Sequence, residues 1–426
     1  MVTTLTVVMI VLLMLGFPMM VPLIVGAFTL ALAFLGVDGN LLISQMVGGV
    51  KPTVLTAVPL FIFAADIMTR GHTANRLLDL VMSFVGHLRG GLPITTAASC
   101  TLFGAVSGST QATVVAMGTP LRPKLLEVGY KDSFALALII NASDIALMIP
   151  PSIGMIIYGV VSGTSVGELF IAGIGPGLLI LVLFSVYCYF NAMYHDIPRR
   201  PKATWAERVK AIREAVLPLG FPVIVVGGIY AGLLSPNEAA AASVLYALIL
   251  EILVFRVIKW KELPNIAVST GLVTAVVFIL VGAGAAFSWT ISFARIPSEL
   301  LGNVLTTMGQ NPTELLVLIC VAYFIGCMFV DPIVVILILT PIFAPAINAS
   351  GVDPVLVGTL VTLQVAIGSA TPPFGCDIFT AIAIFRRPYW ETIKGTPPFI
   401  AILLVATALL ISFPQIALFL RDLAFQ

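Results

Sequence analysis

Residues 141–159 read NASDIALMIPPSIGMIIYG, and residues 366–379 read AIGSATPPFGCDIF. Each is an apolar stretch with a Pro-Pro pair inside it. Two adjacent prolines remove two backbone donors and displace the carbonyls of the preceding turn, so a helix running through either stretch must break there. The surroundings give the breaks their meaning. The chain of 426 residues is 59% hydrophobic and only 10% charged, where a soluble domain carries about 25% charged residues. The expected class is an all-α integral membrane protein. In hydrocarbon each unsatisfied backbone group costs several kcal/mol, so broken helices at membrane depth must be buried in protein or line a cavity. The freed carbonyls near 143–149 and 368–371 are uncharged oxygen ligands suited to a hard monovalent cation such as sodium. The hydroxyls of Ser143, Ser152, Ser369 and Thr371 are placed to complete such a shell.

Working outward, apolar runs of about 20 residues mark spanning helices. They fall at 4–35, 53–69, 132–162, 169–194, 216–234, 236–257, 264–292, 354–385 and 396–420. The first is too long and too uncharged at its start for a cleaved signal peptide, and is expected as one helix bent near Pro18 and Pro22. Two further regions, 91–128 and 312–350, are each long enough for two short helices folded back on each other. In TLFGAVSGSTQATVVAMGTP, residues 101–120, a small polar patch without charge sits between the apolar arms, which suits a re-entrant hairpin ending near the midplane. The second tip is expected near GCMFVDP, residues 326–332, with Asp331 before Pro332 opening the returning arm. At each tip a helix N-terminus then faces the centre, with partial positive charge for a carboxylate.

The basic loop around Arg199, Arg200, Lys202, Arg208, Lys210 and Arg213 is placed in the cytoplasm by the positive-inside rule. Walking back, the first folded-back region has cytoplasmic ends, beside Arg89, Arg122, Lys124 and Lys131; walking forward, the second starts and ends outside, flanked by Glu299, Glu314 and Asp353. An internal repeat agrees. Thr119-Pro120 recurs as Thr340-Pro341, Pro150-Pro151 as Pro372-Pro373, and Gly173 with Pro176 as Gly395 with Pro398, at offsets of 221 or 222 residues. The odd number of crossings between the copies inverts the second, which is the inverted-repeat architecture of secondary transporters. The expected divisions are N-terminal scaffold and arm helices at 1–90, the first repeat at 91–194, a cytoplasmic loop at 195–215, further scaffold at 216–310 and the second repeat at 311–426.

The remaining residues narrow the function. A formal net charge of +1 without a basic stripe excludes nucleic acid as a partner. Cys100, Cys188, Cys320, Cys327 and Cys376 lie in apolar segments and form no CxxC, so they are expected as small core residues. His72, His87 and His195 sit at polar edges, and neither a GxSxG nor a P-loop signature occurs. Carboxylates inside spans are Asp66, Asp144, Asp331, Asp377, Glu238 and Glu251. Such residues are functional candidates by default. Asp66 has Arg70 one turn on, Glu251 has Arg256 or a helix end, and Glu238 follows Pro236 in a first turn. Asp144 and Asp331 lie beside the expected sites, in a coordinating or a hydrogen-bonding role. An enzyme using them as an acid/base pair would lack a nucleophile partnered by a base.

The stretch HLRGGLPITTAASCTLFGAVSGSTQATVVAMGTPLRPKLLEVGY (87–130), followed by IPPSIGMIIYG, LSPNEAAAAS and ATPPFG, resembles the large membrane subunit of TRAP (tripartite ATP-independent periplasmic) transporters of the dicarboxylate and sialic-acid type. The resemblance runs over about 59–398 in the family's order. It implies an elevator-type, sodium-driven importer of a small organic acid in the bacterial inner membrane. It also implies two partners: a soluble periplasmic substrate-binding protein and a small four-helix membrane subunit, here on a separate chain. Carried over by motif, one sodium site would use Ser107, Gly108 and Ser109 with Ser143, Asp144, Met148 and Pro150, and the other Gly326 with Gly368 and Thr371. The substrate would lie against Ser107, Ser109, Thr110, Ser152, Asp331 and Pro372. No organic cofactor is expected. Asp144, Ala146 and Gln364 depart from the family's usual small neutral residue, Gly and Asn. The alternative is a sodium-coupled anion transporter that works alone.

Overall fold

Helices that are apolar all round, such as Val166–Tyr194 and Leu263–Phe293, have no face to give to water and must pack among other helices or lipid. The computed structural model describes residues 1–299, 302 and 311–425, and among these every regular element is a helix. Seven helices are long and apolar enough to cross a membrane, or up to nine if each of two bent pairs is one span. The protein is a multi-pass membrane protein. The division expected at 310 lies outside the described residues.

Both Pro-Pro stretches break as expected. Asp132–Met148 turns by 45° into Ile153–Ser162, and Pro354–Ser369 is followed, after a non-helical segment, by Cys376–Phe385. Both folded-back regions are helical hairpins, Gly91–Ser107 with Thr110–Glu127 and Pro312–Phe329 with Pro332–Ser350. The half-helix Ile153–Ser162 packs against the returning arm Pro332–Ser350. In the same way Cys376–Phe385 packs against the returning arm Thr110–Glu127. Each hairpin also presses on its own broken helix through a residue without room for a side chain. A Cβ on Gly104 would stand 2.5 Å from Cα of Ala146, and one on Gly368 would stand 2.4 Å from Cβ of Cys327. Small residues that let helix backbones approach are how apolar helices cohere in lipid.

Asp132 accepts from Arg122 and Arg387 on the side assigned to the cytoplasm. Arg421 reaches Glu168, Asp353 and Asp422 on the side assigned outside. Burial by itself would raise the Asp353 carboxyl, but the Arg421 guanidinium and the backbone N–H of Val355 outweigh it and hold it below its ordinary value.

The structure corrects several expectations. Residues 4–35 are not one bent helix: Val2–Met14 and Met20–Leu35 are separate, and the chain folds back at Gly16 (φ +80°) to lay Leu5 over Gly26. The C-terminal run turns by 58° between Pro397–Ser412 and Gln415–Ala424. Helices Gly39–Gly49 and Thr73–Val85 were not expected. The loop 195–215 is helical from Trp205 onward, where Thr204 and Glu207 form a capping box. Asp66 pairs with Arg70 at 2.9 Å, and Glu238 caps its helix through Ser235. Glu251 does not pair with Arg256; it is fully buried at the start of the helix Thr73–Val85, where it accepts the Thr73 hydroxyl at 2.7 Å.

Candidate functional site

The first hairpin turns at Gly108 because only glycine serves there. Its φ is +62°, and a Cβ would lie 2.4 Å from the Pro151 carbonyl oxygen. The tip is thereby set directly on the first helix break, and the Ile153 N–H donates to the Gly108 carbonyl at 3.4 Å. Ser109 caps the returning arm by accepting from the Ala112 N–H, and Ser152 caps the half-helix by accepting from the Met155 N–H. At the second tip the Asp331 carboxylate caps its arm, accepting from the Ile333 N–H at 2.9 Å.

These three helix starts open onto one cavity of about 310 Å³. Its lining comes from the first tip (Gly108, Ser109, Thr110, Gln111), the second tip (Asp331, Pro332, Ile333) and the first broken helix (Leu147, Ile153, Gly154). Ile62 and an apolar wall of Val273, Val276, Val277 and Leu280 close it. Of the six expected substrate contacts, Ser109, Thr110 and Asp331 line this cavity. Ser107 does not; it is buried beneath the tip with its hydroxyl 3.0 Å from that of Thr113. Ser152 is enclosed at its cap, and Pro372 lines an apolar groove with Trp390 and Lys394 instead. The valine wall was missed because nothing in an apolar helix sequence distinguishes a lipid face from a cavity face.

The expected ion ligands divide similarly. Ser143 and Thr371 donate their hydroxyl protons to Ile139 and Ile367 carbonyls, which leaves the oxygen lone pairs to accept or coordinate. Met148 and Pro150 are buried at the break, next to Ser143 and Asp144 on the same segment. Gly326 is not in the second tip but in the last turn of the outgoing arm, where its carbonyl accepts the Val330 N–H; the turn itself is Val330 and Asp331. Gly368 packs beside that arm, against Cys327. Asp144 is fully buried and neither of its oxygens has a hydrogen-bond partner. Asp377, given no role by sequence, accepts the Thr110 hydroxyl at 2.8 Å and the Ser369 hydroxyl at 2.6 Å. Its position four residues beyond the Pro-Pro pair, in the first turn of the second half-helix, was the available signal. Oxygen-rich breaks with orphaned carboxylate oxygens fit a hard cation, whereas no group of three or more His, Cys, Asp or Glu among the described residues could hold a metal ion. The remaining departure, Gln364, donates to the Thr407 hydroxyl at 2.8 Å.

Hairpin tips and a broken helix around a small cavity in a multi-span helical protein are an arrangement that secondary transporters use. The chain belongs to the family described as the tripartite ATP-independent periplasmic transporter, DctM component, whose model matches residues 6–416. It is a TRAP large permease subunit and not an enzyme. It is 65% identical, over all of both chains, to the ectoine/5-hydroxyectoine TRAP transporter large permease protein UehC of Ruegeria pomeroyi. The same identity and coverage relate it to the ectoine TRAP transporter large permease protein TeaC of Halomonas elongata. The C4-dicarboxylate TRAP transporter large permease protein DctM of Pseudomonas aeruginosa is 34% identical over 86% of each chain. Among solved structures, the Alcanivorax borkumensis YdaH transporter shares the fold, with a TM-score of 0.65 at 16% identity over 87% of this chain and 86% of that one.

Proposed function

We propose that the chain is the large permease subunit of a sodium-coupled, binding-protein-dependent importer of a zwitterionic cyclic carboxylate of the ectoine type. The observation that carries the substrate class is the cavity's two poles. Ser109 and Ser152 cap their helices with neutral hydroxyls, so the N–H groups of those helix starts keep their positive character for a carboxylate. Asp331 faces the same cavity with a negative charge, which suits an amidinium ring and opposes a second carboxylate. The 65% identity to two ectoine permeases supports the same choice.

The two hairpins are re-entrant arms of an inverted repeat, a reading supported by the reciprocal packing of half-helices and returning arms. Segments 91–194 and 311–426 form the moving body of an elevator, sliding against 1–90 and 216–310, of which Val273 and Val276 form the wall facing the tips. The chain sits in a bacterial inner membrane with 195–215 in the cytoplasm. It works with a separate small membrane subunit and a periplasmic binding protein.

The test is uptake of labelled ectoine into proteoliposomes holding both membrane subunits, with binding protein outside. Uptake should require an inward sodium gradient, and Asp331→Asn should lower it at least tenfold. Equal uptake without the gradient would sink the coupling, preference for a C4-dicarboxylate would sink the substrate class, and uptake of free substrate by this chain alone would favour the stand-alone reading.

A further inference from the structure

One face of the helix Leu263–Phe293 lines two cavities in succession. Val273, Val277 and Leu280 face the hairpin tips, and further along the same face Val281, Ser288 and Ser292 line a second cavity of about 360 Å³. The second cavity reuses the other two helices of the first, now at Val160 and Val161 of the half-helix and at Leu337 of the returning arm. On Leu263–Phe293 the two sets of lining residues lie about ten residues apart, roughly 15 Å along a continuous helix. The shift is toward the end assigned outside.

The wall changes character on the way. Its inner stretch is valine and leucine, whereas its outer stretch carries the Ser288 and Ser292 hydroxyls and the Trp289 ring, joined by Gln45 of Gly39–Gly49. Thr290, between the two serines, instead turns its hydroxyl back on the Ala286 carbonyl at 2.7 Å and is buried on another side of the helix. Gly49 seats on Ala285 with no room for a Cβ, which holds Gln45 and Ser288 in one frame. These polar groups all stand on segments read as scaffold; the body read as moving contributes only Val160, Val161 and Leu337. Among the described residues, no acidic or basic side chain lines this cavity.

We propose that the outer cavity is the receiving wall of the substrate site. When the tips slide outward along Leu263–Phe293, the zwitterion they hold leaves the valines and meets Gln45, Ser288, Trp289 and Ser292. The proposal rests on the elevator and ectoine readings and deepens them. Serine hydroxyls and the glutamine amide donate to a carboxylate, the amide oxygen accepts from a ring N–H, and the indole face attracts an amidinium cation. Neutral groups orient such a substrate without a fixed charge to retain it. The inner valines offer no hydrogen bond in exchange, so the outward-facing site binds more tightly than the inward-facing one, and the substrate is released inside.

The experiment is uptake kinetics in proteoliposomes holding both membrane subunits, with a sodium gradient and ectoine-loaded binding protein titrated outside. Gln45→Leu, and Ser288→Ala combined with Ser292→Ala, should each raise the KM for loaded binding protein by about fivefold or more, the worth of one neutral hydrogen bond. Saturation should recover the rate. Trp289→Leu should behave likewise, and Trp289→Phe, which keeps an aromatic face, should recover most of that loss. An unchanged KM across the set, a fall in maximal rate alone, or equal impairment by Trp289→Leu and Trp289→Phe would overturn the proposal. So would a matching loss of inhibition by excess unloaded binding protein, which would make the cavity a contact for that partner. A wild type that imports ectoine beside variants with unchanged KM removes the receiving wall and leaves the proposed function standing; a wild type that imports none removes both.

Discussion

At the scale of single residues, Gly108 shows how closely the tip is fitted to the break. Alanine there must adopt a left-handed backbone, at a cost of roughly 1–2 kcal/mol, and must also push the Pro151 carbonyl away from a 2.4 Å contact. Gly163 is a control, with φ +77° and nothing within 4 Å of its Cβ position. Gly108→Ala should therefore abolish uptake and lower the melting temperature of the complex, whereas Gly163→Ala should pay the backbone cost alone and keep transport. Equal behaviour of the two variants in those assays would show that the tip is not seated on the break. Such local matters were largely legible. Ser109, Asp331 and Ser152 are capping types directly before helix starts, and a cap declares itself in sequence. For Asp377 only its place beside the break was legible; its partner Thr110 is brought to it by tertiary packing.

At the scale of elements, the breaks and hairpins were readable and the other helix boundaries less so, for one physical reason. Proline and tip chemistry act within a few residues, so 150–151 and 372–373 fix the breaks wherever the segment lies. The turn at Gly16, by contrast, depends on Val2–Met14 finding Gly26 to pack on, and Thr73–Val85 is held by the helix Trp205–Pro222 far along the chain. Hydropathy sees neither partner. The departure Ala146 has no structural explanation beyond its place against Gly104. The breaks carry a prediction of their own. Replacing Pro150 and Pro151 by alanine restores two backbone donors and removes the ring clashes, each proline being worth about 3 kcal/mol against an interior helix. The segment Asp132–Ser162 should then straighten, with uptake lost while membrane insertion and co-purification of the small subunit persist. Normal uptake by this variant would mean that the break is not needed for the site.

At the scale of the whole molecule, Arg421 ties the C-terminal helix to the starts of Pro354–Ser369 and Val166–Tyr194, at 2.7 Å from Asp353 and 3.5 Å from Glu168. Asp353 titrates below its ordinary value in the folded protein, so its contribution is complete at neutral pH and is lost as pH falls through that lowered value. The contribution of this tie should stay flat on acidification until below about pH 4. Arg421→Ala should melt lower at pH 7 and lose less on further acidification; an unchanged melting temperature at pH 7 would show that the tie carries no weight. The reciprocal packing of half-helices and returning arms has a further consequence, for biosynthesis. Ile153–Ser162 lacks its largest partner until Pro332–Ser350 has been made, and one flank of Thr110–Glu127 waits for Cys376–Phe385. Roughly 180 residues and more separate these partners, which at translation rates of about 5–20 residues per second leaves the first hairpin and broken helix for about ten seconds or longer with an open flank. Whatever shields that flank during synthesis, whether lipid, the insertion machinery or the small subunit, decides how much chain reaches the finished fold.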